Sequence, residues 1–326
     1  MQTIEERHAP GLAEAPARGI ASSRNHMAME EVAHGVSYLT TAFVNLYLVQ
    51  SADGCVLVDS GLPGTSAFTR SHVERALGGA RPDAIVLTHG HFDHAGSAAA
   101  LADAWGVPIY AHPLELPYLT GRSDYAPKDP SMGGAIAQLA RVFPTSGTDL
   151  GGRVRALPED GSVPGMDGWR WIHTPGHTAG HVSLFRDADR LLIAGDALTT
   201  MDLDSWTAVA LETPEIDRPP APLTPDWDAA RDSVRRLAEL EPATVGAGHG
   251  VPLSGPDATE GVRRLAERFP VPPGRYAAHP ARADERGIVH VPPPVPDPLP
   301  GRVALAAAGL LAGILVARAL RDRRNG

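Results

Sequence analysis

Four apolar residues, Ala84-Ile85-Val86-Leu87, run straight into Thr88-His89-Gly90-His91-Phe92-Asp93-His94. This juncture constrains the fold more than any other stretch. A short apolar run reads as a buried strand. A strand that stops there delivers three imidazoles and a carboxylate into one loop. Neutral imidazole and carboxylate are borderline-hard donors that suit zinc and other first-row divalent metals. Such a loop belongs at the edge of a rigid sheet, where sites are usually built.

The remaining chain supplies that sheet. Residues 43–49 and 55–58 are apolar runs joined through Asp53-Gly54, which predicts a hairpin ending at Asp59-Ser60-Gly61. A helix is expected through 71–77, one of small residues over 96–105, and a strand over 107–112. Strands alternating with helices indicate an α/β layered fold. Residues 113–150 are rich in Pro, Gly and Tyr, with one helical piece over 135–143, and read as an insertion or lid over the His loop.

Residues 169–173 form a further strand leading to Thr174-Pro175-Gly176-His177-Thr178-Ala179-Gly180-His181. Pro and Gly rule out a helix there, so the regular spacing of these histidines has no helical meaning. Strands are expected at 182–185 and 191–194, the second ending at Gly195-Asp196. Thr224-Pro225-Asp226 predicts a helix start with Thr224 as the cap. Trp227, Ala230, Val234, Leu237 and Leu240 then give that helix one apolar face. A strand over 244–247 ends at Gly248-His249-Gly250, and a short helix follows over 256–268.

Composition narrows the function. The 326 residues are 43% hydrophobic and 21% charged, with a net charge of -9. No basic stripe is visible, so nucleic acid is not expected as a partner. The chain has one cysteine, Cys55, so no disulfide can form within it; a reducing compartment and a space-filling role fit that residue. Residues 1–28 are polar and aperiodic, without the apolar core of a secretory signal, and read as a loose arm.

The C-terminal stretch is of another kind. Residues 270–302 hold ten prolines and read as an extended linker. Residues 303–317 are uncharged, apolar all round, and followed by Arg318 and a basic end. A helix over 303–320 reaches about 27 Å, against a bilayer core of about 30 Å. This predicts a membrane helix or interfacial anchor that holds a cytoplasmic catalytic domain at the membrane.

Taken together, His-x-His-x-Asp-His at 89–94, His177 in Thr-Pro-Gly-His-Thr, Gly-Asp at 195–196 and Gly-His-Gly at 248–250 resemble the metallo-β-lactamase superfamily, within it the glyoxalase II-like hydrolases. The resemblance runs from about residue 35 to 269. It implies a four-layer αββα sandwich as the catalytic domain over 29–269. It also implies two Zn²⁺ per chain, one held by His89, His91 and His177, the other by Asp93, His94 and His249, with Asp196 bridging. A metal-bridging hydroxide would then attack a small-molecule substrate, with Asp93 orienting the nucleophile as a catalytic residue. Asp59 is expected to hydrogen-bond a ligand histidine. His181 reads as structural support, with substrate contact or ligation as the other readings.

The bond expected to break is ester-like, a thioester or a lactone. The chain departs from both specialised patterns: no glutathione-gripping basic extension is matched, and no Tyr follows the bridging Asp in Asp196-Ala197-Leu198-Thr199-Thr200. Two alternatives stay open. One is a mono-iron (Fe²⁺) oxygenase resembling sulfur dioxygenases; the other is a phosphodiesterase or nuclease. Tyr118, Arg122, Tyr125, Lys128 and Trp206 are the candidate substrate contacts.

Overall fold

The computed structural model describes residues 29–52, 54–297 and 299. Strands β1 (Glu30–Ala33), β2 (Val36–Thr41), β3 (Val44–Ser51) and β4 (Gly54–Val58) form an antiparallel meander. Helix α1 (Ser66–Ala76) crosses to β5 (Ala84–Val86), which pairs parallel with β4. After α2 (Phe92–Ala95) and α3 (Ala98–Trp105), β6 (Ile109–Ala111) pairs parallel with β5. Helices α4 (Leu116–Leu119) and α5 (Gly134–Leu139) lie in the segment before β7 (Val154–Ala156), which completes a seven-stranded sheet in chain order.

A second sheet has β8 (Trp169–His173), β9 (Val182–Arg186) and β10 (Leu191–Ile193) at one end. Helices α6 (Trp206–Leu211) and α7 (Trp227–Ala238) intervene before β11 (Thr244–Gly246) and the edge strand β12 (Leu253–Ser254), and α8 (Pro256–Glu267) follows. Both faces of each sheet are covered, so the strands carry apolar side chains on both sides. In β3, Leu46 and Leu48 face Val73 of α1 and Leu101 and Trp105 of α3. Tyr47 and Val49, the alternate residues, face Val182, Leu184, Leu191 and Ile193 of the second sheet. The far face of the second sheet packs Phe185 and Leu192 on Val234, Leu237, Val262 and Leu265 of α7 and α8. Helix, sheet, sheet, helix is the four-layer α/β sandwich expected. Each fully buried Leu, Ile or Val contributes roughly 1.5–3 kcal/mol, so the inner faces set the register.

That register has a consequence for function. Parallel neighbours end at the same sheet edge. Asp59 leaves β4 and the His loop leaves β5 side by side. In the second sheet β10 and β11 are likewise parallel, so Asp196 and His249 emerge together. The two sheets are tied at that edge. Asn45 donates its backbone N–H to Gly248 O at 2.8 Å, and Val182 donates to Thr88 O at 2.9 Å.

Three expectations change. Helix α7 begins at Trp227, two residues later than Thr224 as cap implies, because Asp226 takes that role and accepts the Ala229 N–H at 2.9 Å. Residues 270–297 are not simply an extended linker. They carry α9 (Arg275–Ala278) and a hairpin of β13 (Arg282–Asp284) and β14 (Gly287–His290). Tyr276 is buried with Met132, Ala221 and Trp227, which is enough apolar contact to fold a proline-rich segment back onto the domain. The expected membrane anchor is also corrected. No helix among the described residues is long and apolar enough to cross a membrane. Residues 303–320 lie outside the described residues, so the membrane partner and the membrane-associated location drawn from them have no support.

Candidate metal centre

Five of the seven ligand-type residues come from loops at strand ends. His89 and His91 follow β5, and Asp93 and His94 sit in the first turn of α2. His177 precedes β9, Asp196 follows β10, and His249 follows β11. All except His91 are almost wholly buried. Three groupings bring their ligand atoms within 4.8 Å of one another: His89, His91 and His177; His89, His94 and Asp196; Asp93, His94 and His249.

The hydrogen bonds behind the rings determine which nitrogen faces inward. Asp59 Oδ2 accepts the Nδ1–H of His94 at 2.8 Å. His249 Nδ1–H donates to Phe43 O at 2.9 Å. The Thr88 hydroxyl is spent on Asp59 Oδ2 at 2.8 Å, so it accepts from His89 Nδ1 at 3.1 Å. The Thr224 hydroxyl is spent on Pro220 O, so it accepts from His177 Nδ1 at 3.3 Å. In each of these four rings Nδ1 carries the proton, and Nε2 presents a bare lone pair.

Those lone pairs converge. His91 Nδ1 lies 3.0 Å from His89 Nε2 and 2.9 Å from His177 Nε2. Asp196 lies 3.2 Å from His249 Nε2, 3.4 Å from His177 Nε2 and 3.5 Å from His94 Nε2. His94 Nε2 and Asp196 Oδ1 are buried with no hydrogen-bond partner among the described residues. Buried polar atoms are rarely left so. Converging lone pairs repel unless a cation lies between them, and nitrogen with carboxylate oxygen is the donor set that divalent transition metals take. The residues therefore fit metal ions.

Electrostatics point the same way. Burial, reinforced by neighbouring imidazoles, pushes His89 and His177 well below the ordinary histidine value. Burial takes His91 down to about 3. Burial raises the Asp93 carboxyl. Asp196 is held well below the carboxylate range, because His249 and His94 outweigh its burial. His94 and His249 shift the other way: against their burial, Asp196 with Asp59 and Asp93 raises His94, and Asp196 with Asp93 raises His249. Carboxylates that draw protons onto these two rings draw a cation to the same place, and metal binding displaces those protons.

Asp59 earns its place through its backbone. It sits at φ 61, in the left-handed region that a non-glycine residue rarely occupies. From there one carboxylate accepts Thr88 N–H at 2.8 Å and reaches His94. His181 does not join the converging atoms. Its Nε2 accepts the Asp196 backbone N–H at 2.9 Å, and its Nδ1 faces the Thr174 hydroxyl at 2.9 Å. His112 and His173 stack on each other, with centroids 4.2 Å apart.

One residue escaped the sequence reading. Glu115 is fully buried, and each of its carboxylate oxygens accepts one backbone N–H and one hydroxyl. Oε1 takes Gly180 N–H at 2.9 Å and Thr178 at 2.6 Å; Oε2 takes Gly90 N–H at 2.9 Å and Tyr125 at 2.6 Å. It clamps both histidine loops to residues 113–150. An acid shortly after the end of β6, on the same edge as Asp59, was the available signal.

A pocket beside His91 and His177 is lined by Tyr118, Tyr125 and Lys128, by Leu223, and by Tyr276 and Ile288 of the C-terminal segment. Trp206 and Arg122 do not line it. Trp206 is 57% exposed on α6. The Tyr125 hydroxyl is committed to Glu115, so this ring offers a wall beside His91, 4.5 Å between centroids.

Comparison with known proteins agrees with this architecture. Residues 39–249 match the family described as the Metallo-beta-lactamase superfamily. The chain is 43% identical over 244 residues to the probable metallo-hydrolase YflN of Bacillus subtilis (strain 168), covering 73% of this chain and 92% of that protein. It is 28% identical to the probable metallo-hydrolase YybB of the same organism, over 64% of this chain and 80% of YybB. A beta-lactamase domain protein from Burkholderia ambifaria has a similar fold, with a TM-score of 0.51 and 24% identity over 76% of this chain and 77% of that one. With a family match spanning both histidine loops and the Asp196 and His249 strand ends, this chain belongs to the metallo-beta-lactamase superfamily and is a metallo-hydrolase of that kind.

Proposed function

We propose that the site holds two divalent cations, zinc being the pair that the donor set suits, and hydrolyses an ester-like bond in a small molecule, a thioester or a lactone. The observation that carries this reading is the convergence of imidazole lone pairs and Asp196 in two adjoining groups. His89, His91 and His177 would hold one ion. Asp93, His94 and His249 would hold the other, with Asp196 between them. The completeness of the second group favours two ions over the single iron of an oxygenase.

Bound there, the cations supply Lewis acidity and lower the pKa of water toward neutrality. The chain's own residues do the rest. Asp59, Thr88, Thr224 and the Phe43 carbonyl fix the tautomer and direction of four rings, which raises their basicity as donors. Asp93 Oδ2, 3.6 Å from His249 Nε2 and 4.0 Å from His94 Nε2, borders the reacting space and is placed to orient the attacking water and take its proton. His181 holds the Asp196 backbone so that both carboxylate oxygens stay turned inward. Tyr125 and Glu115 close the pocket wall and keep bulk water from the His91 side.

The test combines metal analysis of protein purified without chelator with a screen against thioesters, lactones and phosphodiesters. About two zinc per chain with turnover of an ester-like substrate is expected. One iron per chain and no hydrolysis would replace this reading with the oxygenase.

A further inference from the structure

Lys128 is the chain's one lysine; every other basic side chain apart from histidine is arginine. Many of the arginines pair with acids. Arg153 pairs with Asp103, Arg170 with Asp187, Arg186 with Asp189 and Arg263 with Glu260. Lys128 has no acidic partner among the described residues, and it lines the pocket that His91 and His177 border. Burial pushes its ammonium down from the ordinary lysine value, with no nearby charge to offset that cost.

Its backbone, in contrast, is pinned on both sides. Pro127 O accepts the Tyr276 hydroxyl. Asp129 N–H donates to Pro222 O at 2.9 Å. The Asp129 carboxylate, the nearest acid in sequence, accepts from Ser131 and from the Arg275 backbone, so it is not free for the lysine. The position is built, and its charge is left unmatched. An unpaired ammonium in a partly desolvated pocket is costly unless a ligand supplies the counter-charge.

We propose that Lys128 binds a carboxylate of the substrate, so that the hydrolysed molecule is an ester-like compound with an apolar body and one negative charge remote from the scissile bond. This rests on the hydrolase reading above. One compact ammonium matches a single negative charge better than a phosphate dianion, and it lacks the guanidinium fork that grips phosphate at two points. Apart from Thr145 and Thr178, the rest of the lining is apolar or aromatic, with Tyr118, Tyr125, Leu223, Tyr276 and Ile288 as its larger side chains. A chain carrying -9 overall would repel such an anion elsewhere on its surface, so the lone ammonium also sets which end of the substrate enters first.

The single lysine makes the test direct. Reductive methylation of the metal-loaded full chain with ¹³C-formaldehyde labels Lys128 and the N-terminal amine, two resonances that differ in pKa. Dicarboxylates from glutarate to suberate are titrated in, alongside the matching diamides. We expect at least one dicarboxylate to shift the Lys128 methyl signal saturably and to raise its pKa, and the diamides to leave it in place. In parallel, kcat/KM is measured for a carboxylate-bearing thioester or lactone and for its methyl ester. The preference for the charged form should fall about tenfold in Lys128→Met, the size of one charge-assisted contact. An unmoved Lys128 signal with every dicarboxylate, or an unchanged preference in Lys128→Met, overturns the proposal. If no ester of any kind is turned over, the hydrolase reading fails, and the resonance still decides whether Lys128 binds carboxylate.

Discussion

Glu115 Oε2 accepts the Tyr125 hydroxyl at 2.6 Å while also accepting the Gly90 N–H from the middle of the His loop. A lid residue and the loop carrying His89 and His91 thus share one buried atom. The other oxygen does the same for Thr178 and Gly180, on the loop carrying His177. This symmetry makes glutamine a poor replacement. Whichever way the amide turns, its NH₂ meets a backbone N–H. Glu115→Gln should therefore cost about 1–3 kcal/mol, the range for a buried donor left unmet, read as a lower urea midpoint at constant slope. Turnover should drop with it, because His91 and His177 lose a common anchor. Wild-type stability and turnover in this variant would show that the clamp is dispensable.

His91→Ala and Asp196→Ala should each abolish hydrolysis and lower the metal content of the purified protein. Asp196 reaches three of the inward nitrogens, so its loss should be the more severe for metal. Mass spectrometry of the metals, beside a thermal melt to confirm folding, checks this. Full metal content with activity in either variant would remove that residue from the site.

Asp59→Asn leaves the shape and changes the charge behind His94. One oxygen must still accept from Thr88 N–H, and the amide then faces His94 Nδ1–H, donor against donor. Metal affinity or activity should weaken roughly 10–100-fold. Competition with a chelator of known affinity measures it, and an unchanged affinity would reduce Asp59 to a turn residue.

The His112–His173 pair gives a pH prediction away from the metal. Burial and the neighbouring His173 ring push His112 down to about 4. In the unfolded chain it titrates near 6.5. The unfolded state therefore binds the proton first as pH falls. Stability from this group is complete above about pH 6.5 and is lost as pH drops toward 4. The ring is partly open to solvent, so the loss is on the order of 1 kcal/mol after screening. His112→Asn keeps an acceptor for the Leu114 N–H, which His112 Nδ1 accepts at 3.2 Å, and removes the titration. Its denaturation midpoint should vary less with pH over that window, and an identical pH profile would show that other groups dominate.

The sequence by itself determined the alternation of strands and helices and the ligand-type residues that close β4, β5, β10 and β11, while the sandwich followed from the family resemblance those residues carry. The alternation and the closing residues are local facts. Apolar runs of strand length and the Gly and Pro that end them are visible within a few residues. Only tertiary structure decided which imidazole nitrogen faces inward. That choice is made by Thr88, Asp59, Thr224 and the Phe43 carbonyl, the last 206 positions from His249. It also decided the cap at Asp226, since the Thr224 hydroxyl is taken by Pro220 O and His177. Glu115 looked like an ordinary acid, because all four of its donors come from other turns of the chain. Residues 270–297 looked like a linker, because proline content reports what a segment cannot form alone. The apolar ground that Met132, Ala221 and Trp227 offer Tyr276 comes from three distant stretches, and burial against it is a property of the assembled fold.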